Sequence, residues 1–371
     1  MKKMITSTIL AVSLLITPLV SYGEEVVAKD IKTSLSLEQA VEEGIKNSQQ
    51  LILNELEIEL KKTGYSEAVY TEKKYKKSDY SLGTVEGFLL DENMASKKAN
   101  YAVEEEKLKT EYIKEDIKSN VTNAYYGVLQ AKENLNVANS ALENTERNHD
   151  IVKKKFELGM TSKSDVLMAE IALNEGYTNV EKAKDGVEKA SRALNMLLNY
   201  PLNTKIELTS SFKQQEFSTD VEKDIEKAYT TRFDIIQLNN NYELVKLDFD
   251  TNAKVYTPNT FKYKEKKSNL AKMENLLHNA KQNIEFDIRS KYDGIKTAQK
   301  QIQLAKANVE KAEEGLRLRE LAYNAGTGVI LEVKEAMTQL YNAKLALSNA
   351  IAEYNVNILE YNKAIKIGSI G

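Results

Sequence analysis

The chain contains no cysteine and no tryptophan, and histidine occurs only at His149 and His278. Without cysteine there is no disulfide, no thiolate metal site and no N-terminal cysteine to carry a lipid. An exported protein of this kind must be held together by packing alone. Proline is confined to Pro18, Pro201 and Pro258, so long stretches carry no helix breaker. Beyond residue 23, no run approaches the ~20 apolar residues of a membrane-spanning helix. Charge of one sign is also missing: 52 basic residues face 55 acidic ones, which leaves no basic footprint for nucleic acid. The sequences HExxH, CxxC and GxSxG do not occur. Carboxylates are abundant but alternate with lysine along polar helix faces, and no pair is singled out for acid–base work. The sequence therefore points to no catalytic residue, no cofactor site and no metal site, and no enzyme is expected.

Residues 1–23 read as a signal peptide. Lys2 and Lys3 form a positive start, Met4 to Val20 is apolar, and Ser21-Tyr22-Gly23 places small residues at a cleavage site. Cleavage removes two lysines and no acid, taking the formal charge from −3 to −5. A short apolar helix is expected around Leu37, Ala40, Val41, Gly44 and Ile45, with Ser34 and Ser36 as candidate caps, and a second from Gln49 to about Tyr75.

From Met94 the pattern is strict. Val121, Ala124, Val128, Ala131, Leu135, Ala138, Leu142, Thr145, His149, Val152 and Phe156 follow one another at alternating steps of three and four. That is a coiled-coil seam, in which small alanines let helices approach closely. His149 falls on this seam and reads as a packed or snorkelling residue rather than a metal ligand. At Gly159 the pattern pauses. Glycine there takes the left-handed conformation that ends a helix, and Ser162 with Asp165 makes a capping-box start for the next. The seam resumes at Val166 and runs to Leu197, ending at Asn199-Tyr200-Pro201.

Adding 167 to each position reproduces the pattern. Val121 falls on Ile288, Val128 on Ile295, Phe156 on Tyr323, Gly159 on Gly326 and Asp165 on Glu332. One long hairpin is thus present twice. The short helices repeat at a different offset, 184, which carries Val41 onto Ile225 and Leu51 onto Ile235. The difference of 17 residues falls near Lys73–Glu92, a weakly patterned zone whose counterpart is Asn252–Lys267. Gly326-Thr-Gly328 resembles a fragment of a phosphate loop, but it lies between two helices and reads as a turn. The expected organisation is a signal peptide at 1–23, a first repeat at 24–200 with its long hairpin at 94–199, a linker at 201–219, and a second repeat at 220–371 with its long hairpin at 266–367. The twenty tyrosines, among them Tyr75, Tyr80, Tyr101, Tyr112, Tyr125 and Tyr126, fit helix packing better than a membrane-interface belt.

These strings, in this order and twice over, resemble the TolC family of outer-membrane efflux proteins. The opening Leu37-Glu-Gln-Ala40 through Ser48 looks like that family's first helix, and Ala124-Tyr125-Tyr126 through Leu135 like its long-helix signature. Phe156 through Glu170 looks like its first hairpin tip, and Tyr323-Asn-Ala-Gly326 like the counterpart. The resemblance implies an all-α protomer of long antiparallel coiled-coil hairpins in two tandem repeats. Three protomers would close a twelve-helix α-barrel around a channel. The tips would meet a periplasmic adaptor that links to an inner-membrane pump or ABC exporter, in an efflux or type I secretion assembly. Carried over by position, the tip residues are Gly159, Met160, Thr161 and Ser162, with Gly326, Thr327, Gly328 and Val329 in the second repeat. Those residue types also serve plain turn and cap chemistry.

One departure from the family is visible. A membrane β-strand takes about 9–11 residues of alternating polarity, and a hairpin needs two. Only a weak strand is available in Tyr80–Leu90, and the second zone, with Pro258 and the basic stretch Lys262–Lys267, has none. Little or no β-barrel is expected, which puts membrane insertion in doubt. The stretch Lys262–Lys267 reads as a solvated loop, or as a contact for anionic wall polymer or lipid headgroups. A second function therefore stands beside the conduit: a barrel-less coiled-coil interaction or structural protein of the envelope or cell wall.

Overall fold

The computed structural model describes residues 34–77 and 83–368. The expected signal peptide lies outside the described residues. The chain order is β1 (Ser34–Leu35), α1 (Leu37–Lys46), α2 (Gln49–Lys77), α3 (Val85–Asp91), α4 (Met94–Glu157), α5 (Lys163–Leu197), β2 (Glu207–Leu208), α6 (Val221–Thr231), α7 (Phe233–Ala253), α8 (Phe261–Asn324) and α9 (Ile330–Lys366). The offset of 167 appears directly, because it carries both ends of α4 onto both ends of α8. Each of these helices has 64 residues and is therefore roughly 95 Å long.

Local chemistry sets the ends. Ser36 caps α1 with a reciprocal capping box through Gln39. Asn199, at φ 55°, takes the left-handed conformation just past α5, and Pro201 follows. Arg232, at the start of α7, is buried. Its guanidinium donates to Asp234 Oδ2 at 2.6 Å and to the Ala364 carbonyl at 3.0 Å, which ties the last turn of α9 to the short helices.

Burial follows the predicted seam. Val121, Val128, Val152 and Val166 are buried in the first hairpin, as are Ile288, Ile295, Ile302, Val333 and Tyr361 in the second. Three cores result. One joins α1 and the base of the first hairpin around Leu35, Val121, Tyr125 and Leu198. A second joins α6 and α7 to the base of the second hairpin around Ile235, Ile288 and Tyr361. The third lies at the tip end and takes residues from both hairpins: Val152 and Val166 from one, Tyr323 and Val333 from the other. Gly44 brings α1 onto α4 closely; a Cβ there would meet Val121 Cγ2 at 2.7 Å.

The hairpins lie side by side along α4 and α9, which run antiparallel. Polar pairs staple them at successive heights: Lys363 Nζ to Asp116 at 2.7 Å, Gln130 to Asn349 at 2.8 Å, and Lys334 Nζ to Glu175 at 3.0 Å. The stretch 201–219 crosses between the repeats as an ordered strap. Its β2 pairs in parallel with β1, and Asn355 holds it through Lys213 O and Gln215 N.

Four expectations need correction. The second hairpin starts at Phe261 rather than 266, because Thr260 caps the Tyr263 amide. The stretch Lys262–Lys267 is accordingly helix, not loop. Of the possible weak strand Tyr80–Leu90, residues 80–82 lie outside the described residues, and Val85–Asp91 is helix α3, capped by Thr84. Phe156, expected on the seam, is 40% exposed, whereas its counterpart Tyr323 is 8% exposed. Among the described residues the only strands are β1 and β2, and no helix is long and apolar enough to cross a membrane.

Candidate partner-binding tips

Both long hairpins turn at the same end of the molecule. In the first tip, Gly159 sits at φ 70° beyond α4. The Gly159 amide donates to Phe156 O at 2.9 Å and the Met160 amide to Lys155 O at 2.8 Å, which satisfies the last carbonyls of the helix. Ser162 then caps α5. Its hydroxyl accepts from the Asp165 amide at 3.1 Å, and the Asp165 carboxylate accepts from the Ser162 amide at 3.1 Å and the Thr161 hydroxyl at 2.5 Å. The Thr161 hydroxyl, with the Ser162 amide and hydroxyl behind it, holds the Asp165 carboxyl below its usual range, against a smaller opposing effect of burial.

The second tip uses the same frame with different side chains. Gly326, at φ 78°, ends α8, and the amides of Thr327 and Gly328 both donate to Ala322 O at 3.0 Å. Gly328 packs against that carbonyl turn; a Cβ there would lie 3.1 Å from Tyr323 N. Val329 stands where the first tip has Ser162 and makes no side-chain cap. Glu332, the counterpart of Asp165, turns instead to Arg319 at 3.0 Å.

All eight residues picked from sequence thus gather at one end. Around the turns, apolar side chains face solvent: Leu158 is 74% exposed, Met160 70% and Val329 58%. Leu331, Leu167 and Leu321 add to the same exposed end. The two tips are joined by Lys155, whose Nζ donates to Tyr323 O at 3.1 Å. Lys155 was not legible as a tip residue, since it lies in a run of three lysines. Leu158 and Leu331 were missed too, although an apolar residue flanking a turn glycine is a visible signal.

Above the tips a groove of about 540 Å³ runs between the hairpins, walled by Thr145, Ile171, Met337 and Tyr341. Of the lysines that line it, Lys334 is paired with Glu175 and Lys344 with Glu313. Among the described residues no group of three or more His, Cys, Asp or Glu is placed to hold a metal.

Two long hairpins with coincident tips, bridged by a strap to short helices, are also found in solved structures of outer membrane proteins. The solved structure of the outer membrane protein VceC from Vibrio cholerae superposes with a TM-score of 0.72, covering 90% of this chain and 96% of that one at 13% identity. The CmeC outer membrane channel of Campylobacter jejuni gives 0.67, covering 89% and 85% at 15% identity. At such identities the likeness speaks for the fold. The sequence profile of the family described as "Outer membrane efflux protein" matches residues 259–358, which hold all of α8 and most of α9. The outer membrane protein TolC of Salmonella enteritidis is 20% identical over 294 residues, 66% of this chain. The chain is thus similar to outer membrane efflux proteins of the TolC family, in its fold and in the sequence of its second hairpin. The match to the Salmonella TolC spans 60% of that relative's length, so this chain corresponds to less than two thirds of it. The helical cores and tips described above share the fold of those solved structures.

Proposed function

We propose that this protein is a conduit component of an efflux or type I secretion assembly in the cell envelope, exporting small molecules or proteins. Its place is the outer membrane or adjoining envelope. In this reading three copies close a barrel of twelve long helices, and the division into repeats at 24–200 and 220–371 around the strap 201–219 supplies two hairpins per copy. The tips, Gly159–Ser162 and Gly326–Val329, receive a periplasmic adaptor that connects to an inner-membrane transporter. The observation that carries the reading is the doubled hairpin with both apolar tips at one end. Exposed Leu158, Met160 and Val329 are costly in water and gain by being covered.

A photo-crosslinking side chain at Met160 or Val329, used in intact cells, tests it. Capture of a periplasmic adaptor, together with trimer-sized products when chains are cross-linked through α2 or α8, is the expected result. Monomers alone, with no adaptor adduct from either tip, would overturn the proposal.

A second reading, an envelope coiled-coil spacer, is favoured by one observation. Only residues 254–260 separate α7 from α8, too few for a pair of membrane strands of about 9–11 residues each. Fractionation combined with the tip cross-links separates the two. An envelope pool that carries an adaptor adduct at the tips favours the conduit, and an envelope pool with no such adduct favours the spacer.

A further inference from the structure

The end opposite the tips is assembled from the last turns of α2, helix α3, the first turns of α4 and α8, and the end of α7. Glu72 of α2 caps α4, accepting from the amides of Ala95 and Ser96 at 2.8 and 3.1 Å. Lys76 reaches Asn93 Oδ1 at 2.9 Å. Lys254 meets Glu92 at 3.3 Å and lies 5.2 Å from the Phe88 ring centre. Further along α8, Lys266 pairs with Asp248 of α7 at 2.6 Å, and Lys262 pairs with Glu265 at 3.2 Å. These contacts place five helix ends together and use up the carboxylates of Glu72, Glu92, Asp248 and Glu265.

Lysines remain. Lys73, Lys74 and Lys77 close α2, and Lys97 and Lys98 follow in the first turns of α4; all are exposed. Lys264 and Lys267 on α8 are exposed as well. Among the described residues none of these seven forms an ion pair. The exposed acids at this end, Glu67, Glu86, Asp91 and Asp250, are fewer than these seven lysines. Aromatic side chains stand beside the lysines in solvent: Phe261 is 94% exposed, Tyr70 69% and Tyr75 57%. A cleft of about 610 Å³ opens at the same end, with Ala68, Leu89, Leu90 and Met94 on its apolar wall and Glu67, Glu86 and Lys98 among its polar lining.

Surplus lysine beside exposed aromatics is the chemistry of a surface that meets lipid headgroups. Ammonium groups pair with headgroup phosphates, and aromatic rings settle at the boundary between polar and acyl zones. A polyanion free in solution would account for the lysines but not for Phe261. The connection 254–260 is too short to insert as a pair of membrane strands, so the lysines of α8 beside it would meet a bilayer from outside.

We propose that this end is a peripheral docking surface for an anionic phospholipid bilayer. The proposal stands apart from what the tips bind. Each lysine near an anionic surface adds roughly fivefold to the partition. The full chain is sedimented with vesicles of phosphatidylcholine alone and of phosphatidylcholine mixed with phosphatidylglycerol, at low and high salt. Binding is expected to the mixed vesicles only, weakening as salt rises. The combined variant Lys73→Gln, Lys74→Gln, Lys77→Gln, Lys264→Gln, Lys267→Gln should bind at least about tenfold more weakly, with an unchanged circular dichroism spectrum. Phe261→Ala should remove the binding that survives high salt. No binding to mixed vesicles, equal binding to both compositions, or wild-type binding by the lysine variant would each overturn the proposal. So would a Phe261→Ala variant that alters oligomeric mass while the parent ignores vesicles, since the end would then be a contact between copies.

Discussion

The Nζ of Lys155 donates a hydrogen bond of 3.1 Å to the carbonyl oxygen of Tyr323 and lies 4.0 Å from the centre of the same residue's ring. A residue of the first tip thus closes the carboxyl end of the long helix that forms the second. The cation sits where the dipole of α8 is negative and where carbonyls lack helical partners. Lys155→Met removes both interactions but keeps much of the stem, and is expected to cost about 1–2 kcal/mol. Urea unfolding should show this loss, while Lys154→Met, an exposed neighbour, should leave the midpoint unchanged. Equal midpoints for the two variants would show that the bridge contributes nothing.

Tyr323 itself supports a second expectation. Its ring is buried in the shared core, yet its hydroxyl has no hydrogen-bond partner. Burying an unpaired hydroxyl is unfavourable, so Tyr323→Phe should be neutral or stabilising by up to about 1 kcal/mol. Tyr323→Ala leaves a cavity between the hairpins and should cost about 3–5 kcal/mol. Calorimetry on the pair separates the ring's contribution from the hydroxyl's.

Much of this was legible in the sequence because the code for a long hairpin is local. The offset of 167 that aligns Gly159 with Gly326 also aligns the helix ends, and Ser162 with Asp165 forms the capping box that the spacing predicts. What was not legible depends on how the hairpins lie against each other. Phe156 and Tyr323 occupy one seam position, and only the tertiary arrangement decides that Tyr323 turns inward while Phe156 stays outside, with Lys163 5.9 Å from its ring centre. Helix α3 has a short apolar run, Phe88-Leu89-Leu90, which fits strand or helix equally until the Thr84 cap is seen. The lysines of 262–267 look like loop because their partners Glu265 and Asp248 are a helical turn or another helix away.

Tyr125 ties the first repeat to its strap. It is fully buried, donates to Leu35 O at 3.0 Å, and accepts from the Ser210 amide at 3.1 Å. Tyr125→Phe leaves a carbonyl and an amide beside β1 and β2 without that partner and should cost about 1–3 kcal/mol. Tyr126→Phe, whose hydroxyl makes no such bridge, serves as the control. Hydrogen exchange at the Thr209 and Ser210 amides should quicken in the first variant only; unchanged exchange there would show that the strap is held without Tyr125.

The first tip carries a pH dependence whose sign follows from Asp165. Its carboxyl is held below the usual range by the Thr161 hydroxyl and by Ser162. A carboxyl lowered in the folded state binds fewer protons there than in the unfolded chain. Its contribution is therefore fully present above the unfolded value, about pH 4, and is lost as the pH falls through the folded one. Asp165→Asn removes the charge and should cost about 1 kcal/mol at pH 7, the scale of a helix cap. That difference should shrink as both proteins are taken below about pH 4, where the wild-type carboxyl also becomes neutral. The second tip supplies the contrast. Val329 offers no hydroxyl to reciprocate, and Glu332 answers Arg319 across an exposed turn. Glu332→Gln should therefore cost no more than a surface ion pair, below about 1 kcal/mol. Equilibrium unfolding at pH 7 and pH 3 reads both variants, and a cost for Asp165→Asn that stays constant across that interval would refute the cap as its source.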